Sequence, residues 1–256
     1  ADTDADRARC LTEIAEVRYT QGRLDDAARH AHEALRLATV PSVRLAARNT
    51  LGKLLLARGA WTEAEAHFAE DAGLAACSGD ASAQLRARLN RAIAVMWDGR
   101  SDEAKPMLES VLDEGRARAD DRATAFALSN LAVLAVERHD YVEAVARSES
   151  AIVARRRIGE RLGLARVIAN LAQLRLCLGL VEQAEHALAF GRSAATQGDA
   201  ALCSAHLTLI TTSIHLTHNN TLNTHHKLTL TLTNTPKSNN NNILNNIHQL
   251  TTHITI

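Results

Sequence analysis

Apolar residues recur every three or four positions along residues 1–206, which is the spacing of one face of an α-helix. Such stretches run from Leu45 to Arg58 and from Trp61 to Ala76, and again from Ala125 to Arg138 and from Tyr141 to Arg155. A short turn signal separates the two members of each pair. The pattern therefore predicts an all-α chain built from antiparallel helical hairpins.

A turn residue followed five positions later by alanine marks each hairpin, and successive marks are 37, 40, 40 and 40 residues apart. Glycine suits the left-handed residue that ends the first helix, and alanine suits the closest approach of the two helices. His139, with Asp140 after it, is predicted to replace this glycine rather than to form a catalytic pair. The marks are Gly22/Ala27, Gly59/Ala64, Gly99/Ala104, His139/Ala144 and Gly179/Ala184.

The connection between hairpins is predicted to be looser and polar, as at 78–80, 119–121, 159–161 and 197–199.

Several of these residues form a known motif. Gly59, Trp61, Ala64 and Phe68, with Gly52 upstream, resemble the tetratricopeptide repeat. The 40-residue period is similar to the long variety of kinesin light chains and bacterial signalling regulators. The resemblance implies an α-solenoid of five stacked hairpins in a right-handed superhelix over residues 1–206. At the position of Phe68, the other repeats carry Ala31, Leu108, Ser148 and Leu188.

Composition narrows the range of partners and settings. Twenty-nine basic and 29 acidic residues give no net charge, so bulk electrostatics favour neither nucleic acid nor an acidic membrane. No apolar run approaches the ~18 residues of a membrane span. Four widely spaced cysteines indicate reduced thiols and a cytoplasmic protein. The first residues lack the apolar core of a signal peptide, and the absence of an initial Met suggests a processed or excised chain, with other domains of a longer parent chain as further partners.

Residues 207–256 have a different amino-acid composition, with 13 Thr, 10 Asn and 6 His among them and no Ala, Gly, Val, Asp, Glu or Arg. Asn219 and Thr224 nevertheless stand forty residues after Gly179 and Ala184, as guanine-to-adenine changes would produce. We interpret the segment as a sixth repeat and the first helix of a seventh, rewritten at nucleotide level. A natural, disordered Thr/Asn-rich tail is the alternative. Residues 207–217 are predicted to stay helical, with order declining after Asn219.

No residue combination predicts catalysis, a metal or a cofactor. The six histidines of the tail stand where arginines are expected, and none has the spacing with carboxylate support of a helical zinc site. Spacing alone indicates neither a catalytic triad nor a phosphate-binding loop. The sequence therefore predicts a protein that is not an enzyme.

A ladder of asparagines is the clearest candidate site. Asn90, Asn130 and Asn170 recur at intervals of one repeat, and Asn49 lies one residue out of phase. The pattern resembles one in which first-helix amides of tetratricopeptide repeats bind the backbone of an extended peptide in a concave groove, because one carboxamide can donate and accept at once. In the alternative, the amides only bond to neighbouring helices.

Charged and polar residues lie one turn from the ladder on the same helices. We expect the groove to be basic in its middle and acidic at its N-terminal end, where Glu13 and Glu16 lie. The accompanying candidates are Lys53, Arg86, Arg166 and Gln173.

The predicted function is therefore a non-catalytic module that binds a peptide or protein segment. The alternative is the sensor or scaffold region of a larger bacterial signalling or transcriptional regulator. Neither a nucleic-acid nor a membrane partner is expected.

Overall fold

The computed structural model describes residues 3–195, apart from the side chains of residues 162 and 191–195. Over that range the chain forms ten α-helices and no strand. They are α1 (Thr3–Thr20), α2 (Leu24–Leu37), α3 (Pro41–Ala57), α4 (Trp61–Cys77), α5 (Ala81–Trp97), α6 (Ser101–Ala117), α7 (Asp121–Glu137), α8 (Tyr141–Ile158), α9 (Arg161–Cys177) and α10 (Val181–Ala195). The predicted all-α array of helical hairpins is confirmed. The predicted boundary at 206, the connection at 197–199 and the rewritten repeats over 207–256 lie outside the described residues.

Left-handed residues end the helices with high regularity. Gly59, Gly79 and Gly99 have φ values of 75°, 71° and 82°, and the series continues every twenty residues to residue 179. The connections between hairpins are thus as tight as those within them, which corrects the prediction that they are looser. The pattern extends to two residues with a side chain, Ala119 (φ 53°) and His139 (φ 60°), at a cost of roughly 1–2 kcal/mol each.

His139 therefore takes the place of the expected glycine, as predicted. The next residue, Asp140, caps α8: its Oδ1 accepts a hydrogen bond from the Glu143 backbone N–H at 3.0 Å. This carboxylate is used in helix capping.

The chain divides by internal contacts into two units, residues 1–130 and residues 131–256. In the first unit each helix from α1 to α6 packs on the next, and α3 also contacts both α1 and α5. The first helices of successive hairpins are therefore direct neighbours there. In the second unit, α9 packs against α8 and α10.

Small residues lie where the paired helices meet. The five alanines of the repeat marks are fully buried, as predicted: Ala27, Ala64, Ala104, Ala144 and Ala184. Gly52 makes room for the large Phe68, because a Cβ on Gly52 would lie 2.5 Å from Phe68 Cε1. One repeat later, Ala92 stands at the Gly52 position and Leu108 at the Phe68 position, both fully buried. A larger residue at the Gly52 position is thus matched by a smaller residue at the Phe68 position, as close packing requires.

None of the helices described between residues 3 and 195 is both long and apolar enough to cross a bilayer.

Candidate binding face of the first helices

The candidate residues of the first unit lie on neighbouring first helices. Asn49 and Lys53 are one turn apart on α3, and Arg86 and Asn90 are one turn apart on α5. The two helices contact each other directly. We call the surface formed by these residues, with Glu16 and Tyr19 of α1 and Arg122 of α7, the first-helix face.

A hydrogen bond joins two of the predicted amides. Asn90 Nδ2 donates to Asn49 Oδ1 at 2.8 Å, which places the out-of-phase Asn49 beside the ladder. The bond ties α5 to α3, as expected if the amides hold the helices together. It occupies one of the two N–H groups of Asn90 and one lone pair of Asn49. None of the remaining polar atoms of these two amides is a buried atom without a partner. Asn90 as a whole is buried, with 9% of its surface exposed, and Asn49 is half-buried.

The Asn130 side chain forms a hydrogen bond within its own helix. Its Nδ2 donates to the Phe126 carbonyl oxygen at 2.8 Å, one turn earlier on α7. The half-buried ring of Phe126 lies 5.6 Å from the Arg122 guanidinium carbon, a cation–π arrangement. The amide oxygen of Asn130 takes no part in the bond to Phe126.

Lys53 is the paired cation of the first-helix face. Its Nζ lies 2.5 Å from both carboxylate oxygens of Glu16 and 4.5 Å from the centre of the Tyr19 ring. Burial lowers the pKa of Lys53, and Glu16 opposes that shift without cancelling it, while Arg122 and Arg86 lower the pKa further. Glu16 of the predicted acidic end and Lys53 of the predicted basic residues are thus joined in one ion pair.

Arg86 differs from the other arginines of α5. Arg88 forms an ion pair with Glu114, and Arg91 forms one with Glu65. Within residues 3–195, Arg86 makes no hydrogen bond or ion pair, although its side chain is half-buried. Burial lowers the pKa of Arg86, and the positive charge of Arg122 acts in the same direction. Folding therefore leaves this guanidinium with its five N–H donors unused.

Carboxylates near Arg86 are engaged elsewhere. Asp80 accepts the Ala83 backbone N–H at 2.9 Å as the cap of α5. Asp71 forms an ion pair with Arg48, and Glu16 forms one with Lys53. These three carboxylates raise the pKa of Arg86 by long-range attraction only, because each has a nearer partner.

Sequence reasoning missed Arg122. It lies on the exposed part of α7, and among the described residues its cation contacts only the Phe126 ring. The available signal was its position two turns before Asn130, on the same side of the helix.

In the second unit, the candidates lie on α9. Asn170 is half-buried, and its amide makes no hydrogen bond to any other described residue. Gln173 Nε2 lies 3.7 Å from Cys177 Sγ, and Arg166 is half-buried with a partner inside the protein. Of the three side chains, that of Asn170 is the one that folding leaves unengaged.

The described residues offer little for other chemistry. Between residues 3 and 195, no group of three or more His, Cys, Asp or Glu side chains is arranged to bind a metal ion. Cys10 and Cys77 are exposed reduced thiols, and burial raises the pKa of the Cys177 thiol. The six histidines of the tail lie outside the described residues.

No family model matches the chain, and no curated protein matches its sequence.

Solved structures do match. A Rap protein complexed with the competence and sporulation factor superposes with a TM-score of 0.66 at 14% identity, covering 95% of this chain and 63% of that one. The apo quorum sensor NprR from B. thuringiensis gives 0.59 at 18% identity, covering 78% and 56%. Kinesin light chain TPR-like repeats from Podosopora anserina give 0.51 at 19% identity, covering 73% and 94%. The chain thus spans under two thirds of the length of the Rap protein and of NprR. It has the all-α fold of the tetratricopeptide-like repeat proteins, and these similarities extend to the fold alone.

Proposed function

We propose that this chain is a non-catalytic module that binds an extended peptide through the amides of its first helices. The observation that carries the proposal is the unused hydrogen-bonding capacity of those amides. Asn170 makes no hydrogen bond within the described residues, and Asn49 and Asn90 use only part of their capacity on each other. Backbone N–H and C=O groups of an extended peptide are the matching partners, since a carboxamide donates to one and accepts from the other.

The structural neighbours support a peptide ligand by analogy. The Rap protein is complexed with a competence and sporulation factor, and NprR is a quorum sensor. The residues predicted to bind the peptide divide between the two units of the chain. Asn49, Lys53, Arg86, Asn90 and Asn130 belong to the first unit, and Arg166, Asn170 and Gln173 belong to the second.

A sensor or scaffold region of a larger regulator is the second candidate. It is favoured by the NprR match, in which the chain spans 56% of the quorum sensor. Flanking coding sequence with an ATPase, kinase or DNA-binding signature would support this reading. A cytoplasmic location and the absence of a nucleic-acid partner remain predictions from the sequence.

The test begins with selection of ligands from a random peptide library on the immobilised full chain. Dissociation constants of a selected peptide are then measured by fluorescence polarisation for the wild type and for Asn170→Ala. Loss of one neutral hydrogen bond corresponds to an affinity about two- to tenfold weaker. Because this amide has no partner inside the described protein, the substitution is expected to leave the helicity measured by circular dichroism unchanged.

Gln183→Ala is the matched control, since it removes an exposed amide from the second helix α10 of the same unit. The control is expected to bind the peptide like the wild type. The triple variant Asn90→Ala, Asn130→Ala, Asn170→Ala is expected to lose binding. A triple variant of unchanged helicity that binds the peptide with wild-type affinity would overturn the proposal.

A further inference from the structure

One side of α1 carries a row of exposed side chains that are apolar or weakly polar. Cys10, Ile14 and Val17 follow one another at the spacing of a single helix face, and all three are exposed. The residues of α1 that pack against α2 and α3, such as Ala8 and Leu11, lie on the other side of the helix. We call Cys10, Ile14 and Val17 the α1 stripe.

The repeat shows that this side of a first helix is normally covered. Val17 is 51% exposed, whereas the residues at the same register position on the four later first helices are at most 7% exposed. They are Leu54, Ala94, Leu134 and Leu174. Cys10 is exposed in the same way, although its four counterparts are buried. They are Ala47, Ala87, Ala127 and Val167.

Contacts inside the protein show what covers the later first helices. Ala47 of α3 packs with Leu11 of α1 and Ala34 of α2. In the second unit, Leu174 of α9 packs with residues of α7 and α8. The covering surface is thus the apolar side of the helices that come before. Among the described residues no helix covers the α1 stripe, so the stripe continues this interface and fits the apolar side of another helix.

The charges beside the α1 stripe identify that helix as a second copy of α1. Glu13 borders the stripe on one side and Arg18 borders it on the other. Within residues 3–195 neither side chain forms an ion pair, and Arg18 donates a hydrogen bond to Gln21 at 3.0 Å. With Ile14 at position a and Val17 at position d of a heptad, Glu13 is at g and Arg18 is at e. Charges at e and g pair between two parallel helices.

The same charges select the direction of the pairing. In an antiparallel pair of α1 helices, the Glu13 sides of both copies would meet, and so would the Arg18 sides. Like charges would then oppose each other on both sides of the contact. In a parallel pair each acidic side meets a basic side, so the surface of α1 is complementary to itself.

We propose that the α1 stripe is a self-association surface, at which two copies of this chain pair through parallel α1 helices about a two-fold axis. Each residue of the stripe then lies near its equivalent in the other copy, as in any isologous contact. Glu13 of each copy faces Arg18 of the other. The dimer is independent of the proposed peptide binding, because Glu16 and Tyr19 of the first-helix face lie on a different side of α1.

The first experiment is sedimentation velocity of the full chain over a series of protein concentrations. The wild type is expected to change from monomer to dimer as the concentration rises. Val17→Glu places a charge in the contact and is expected to raise the dissociation constant of the dimer at least about tenfold. Val142→Glu is the matched control, because it adds the same charge at a position of α8 that is 84% exposed. The control is expected to sediment like the wild type.

Charge reversal tests the parallel arrangement. Glu13→Arg and Arg18→Glu each bring like charges together between the two copies, and each is expected to weaken the dimer several-fold. The double variant Glu13→Arg, Arg18→Glu exchanges the two charges, and its dissociation constant should return to within about twofold of the wild-type value. Circular dichroism checks that every variant keeps the helicity of the wild type.

Cys10 reports on the register of the two helices. Diamide takes up two electrons and two protons as two Cys10 thiols form one disulfide. With the other cysteines removed (Cys77→Ser, Cys177→Ser, Cys203→Ser), oxidation is expected to give a covalent dimer. A variant that keeps only the exposed Cys77 (Cys10→Ser, Cys177→Ser, Cys203→Ser) is the control and is expected to remain unlinked.

Three results would overturn the inference. A chain that stays monomeric at every concentration would leave the α1 stripe to a helix of a different protein. A dimer that Val17→Glu does not weaken would place the contact on another surface. A dimer that fails to link through Cys10, or that the double charge exchange does not restore, would exclude the parallel pairing of α1.

Discussion

Two sets of arginines in residues 1–130 differ in how folding uses their charge. Arg48, Arg88 and Arg91 reach from first helices to carboxylates on second helices and form ion pairs there. Arg86 and Arg122, on the first-helix face, have no ion pair within the described residues. The charges of the first set link first helices to second helices, whereas Arg86 and Arg122 take no part in such ion pairs within the described residues. Substitutions in the two sets should therefore affect different properties.

The largest effect is expected from Arg48→Met. The Arg48 side chain is 18% exposed, and its Nε bonds to Asp71, whose side chain is 3% exposed. The substitution leaves a buried carboxylate without its cation, which typically costs about 3 kcal/mol. We expect a loss of that size in the free energy of unfolding, measured by urea denaturation followed by circular dichroism.

The cause of that loss can be checked with a second substitution. The double variant Arg48→Met, Asp71→Asn removes the uncompensated charge as well, and it should recover part of the lost stability. Arg36→Met, at an exposed position, should change stability by less than about 0.5 kcal/mol. If Arg36→Met were as destabilising as Arg48→Met, the ion pair would not be the cause.

Acid should weaken the same set of contacts. Burial raises the pKa of Glu65, but hydrogen bonds from Arg91 and Arg100 outweigh that effect and leave the pKa below its ordinary value. A carboxyl with a lowered folded-state pKa stabilises the protein above its unfolded pKa, and the contribution is lost as pH falls through the folded pKa. The wild type is therefore expected to melt about 2–4 °C above Glu65→Gln at pH 7, with the two curves converging as pH falls from 5 to 2.

Glu185→Gln is the control for the acid experiment, since Glu185 is exposed beyond the first turn of its helix α10 and forms no ion pair with a described residue. Its melting temperature should follow that of the wild type at every pH. A difference between the wild type and Glu65→Gln that persists at pH 2 would assign the effect to packing rather than to charge.

The sequence predicted the fold well because the fold depends on short-range signals. Glycine at left-handed turn positions and alanine five residues later are local requirements, and both were found where expected. The equal tightness of the connections between hairpins was not predicted, since Ala119 adopts a left-handed conformation that its residue type does not indicate.

The candidate site was predictable in part. Periodicity placed the asparagines on first helices, but it did not show that Asn90 bonds to Asn49 or that Lys53 bonds to Glu16. Those contacts join side chains 41 and 37 residues apart, and they depend on side-chain reach across neighbouring helices. Arg122 was missed for the same reason, because its relation to Lys53 and Arg86 is spatial.

The smallest expected effect is also the sharpest test of the comparison, because it contrasts two arginines of α5. Arg88→Gln removes the ion pair with Glu114 and the hydrogen bond to Ser110, and it should cost about 0.5–1 kcal/mol. Burial of the Arg86 charge and repulsion by Arg122 together outweigh the attraction of Asp80, Glu16 and Asp71. Arg86→Gln removes no hydrogen bond or ion pair, so the stability of this variant should equal or slightly exceed that of the wild type. Parallel urea titrations of the two variants measure the difference. A loss for Arg86→Gln as large as that for Arg88→Gln would mean that folding does use this charge, and the division between the two sets would then fail.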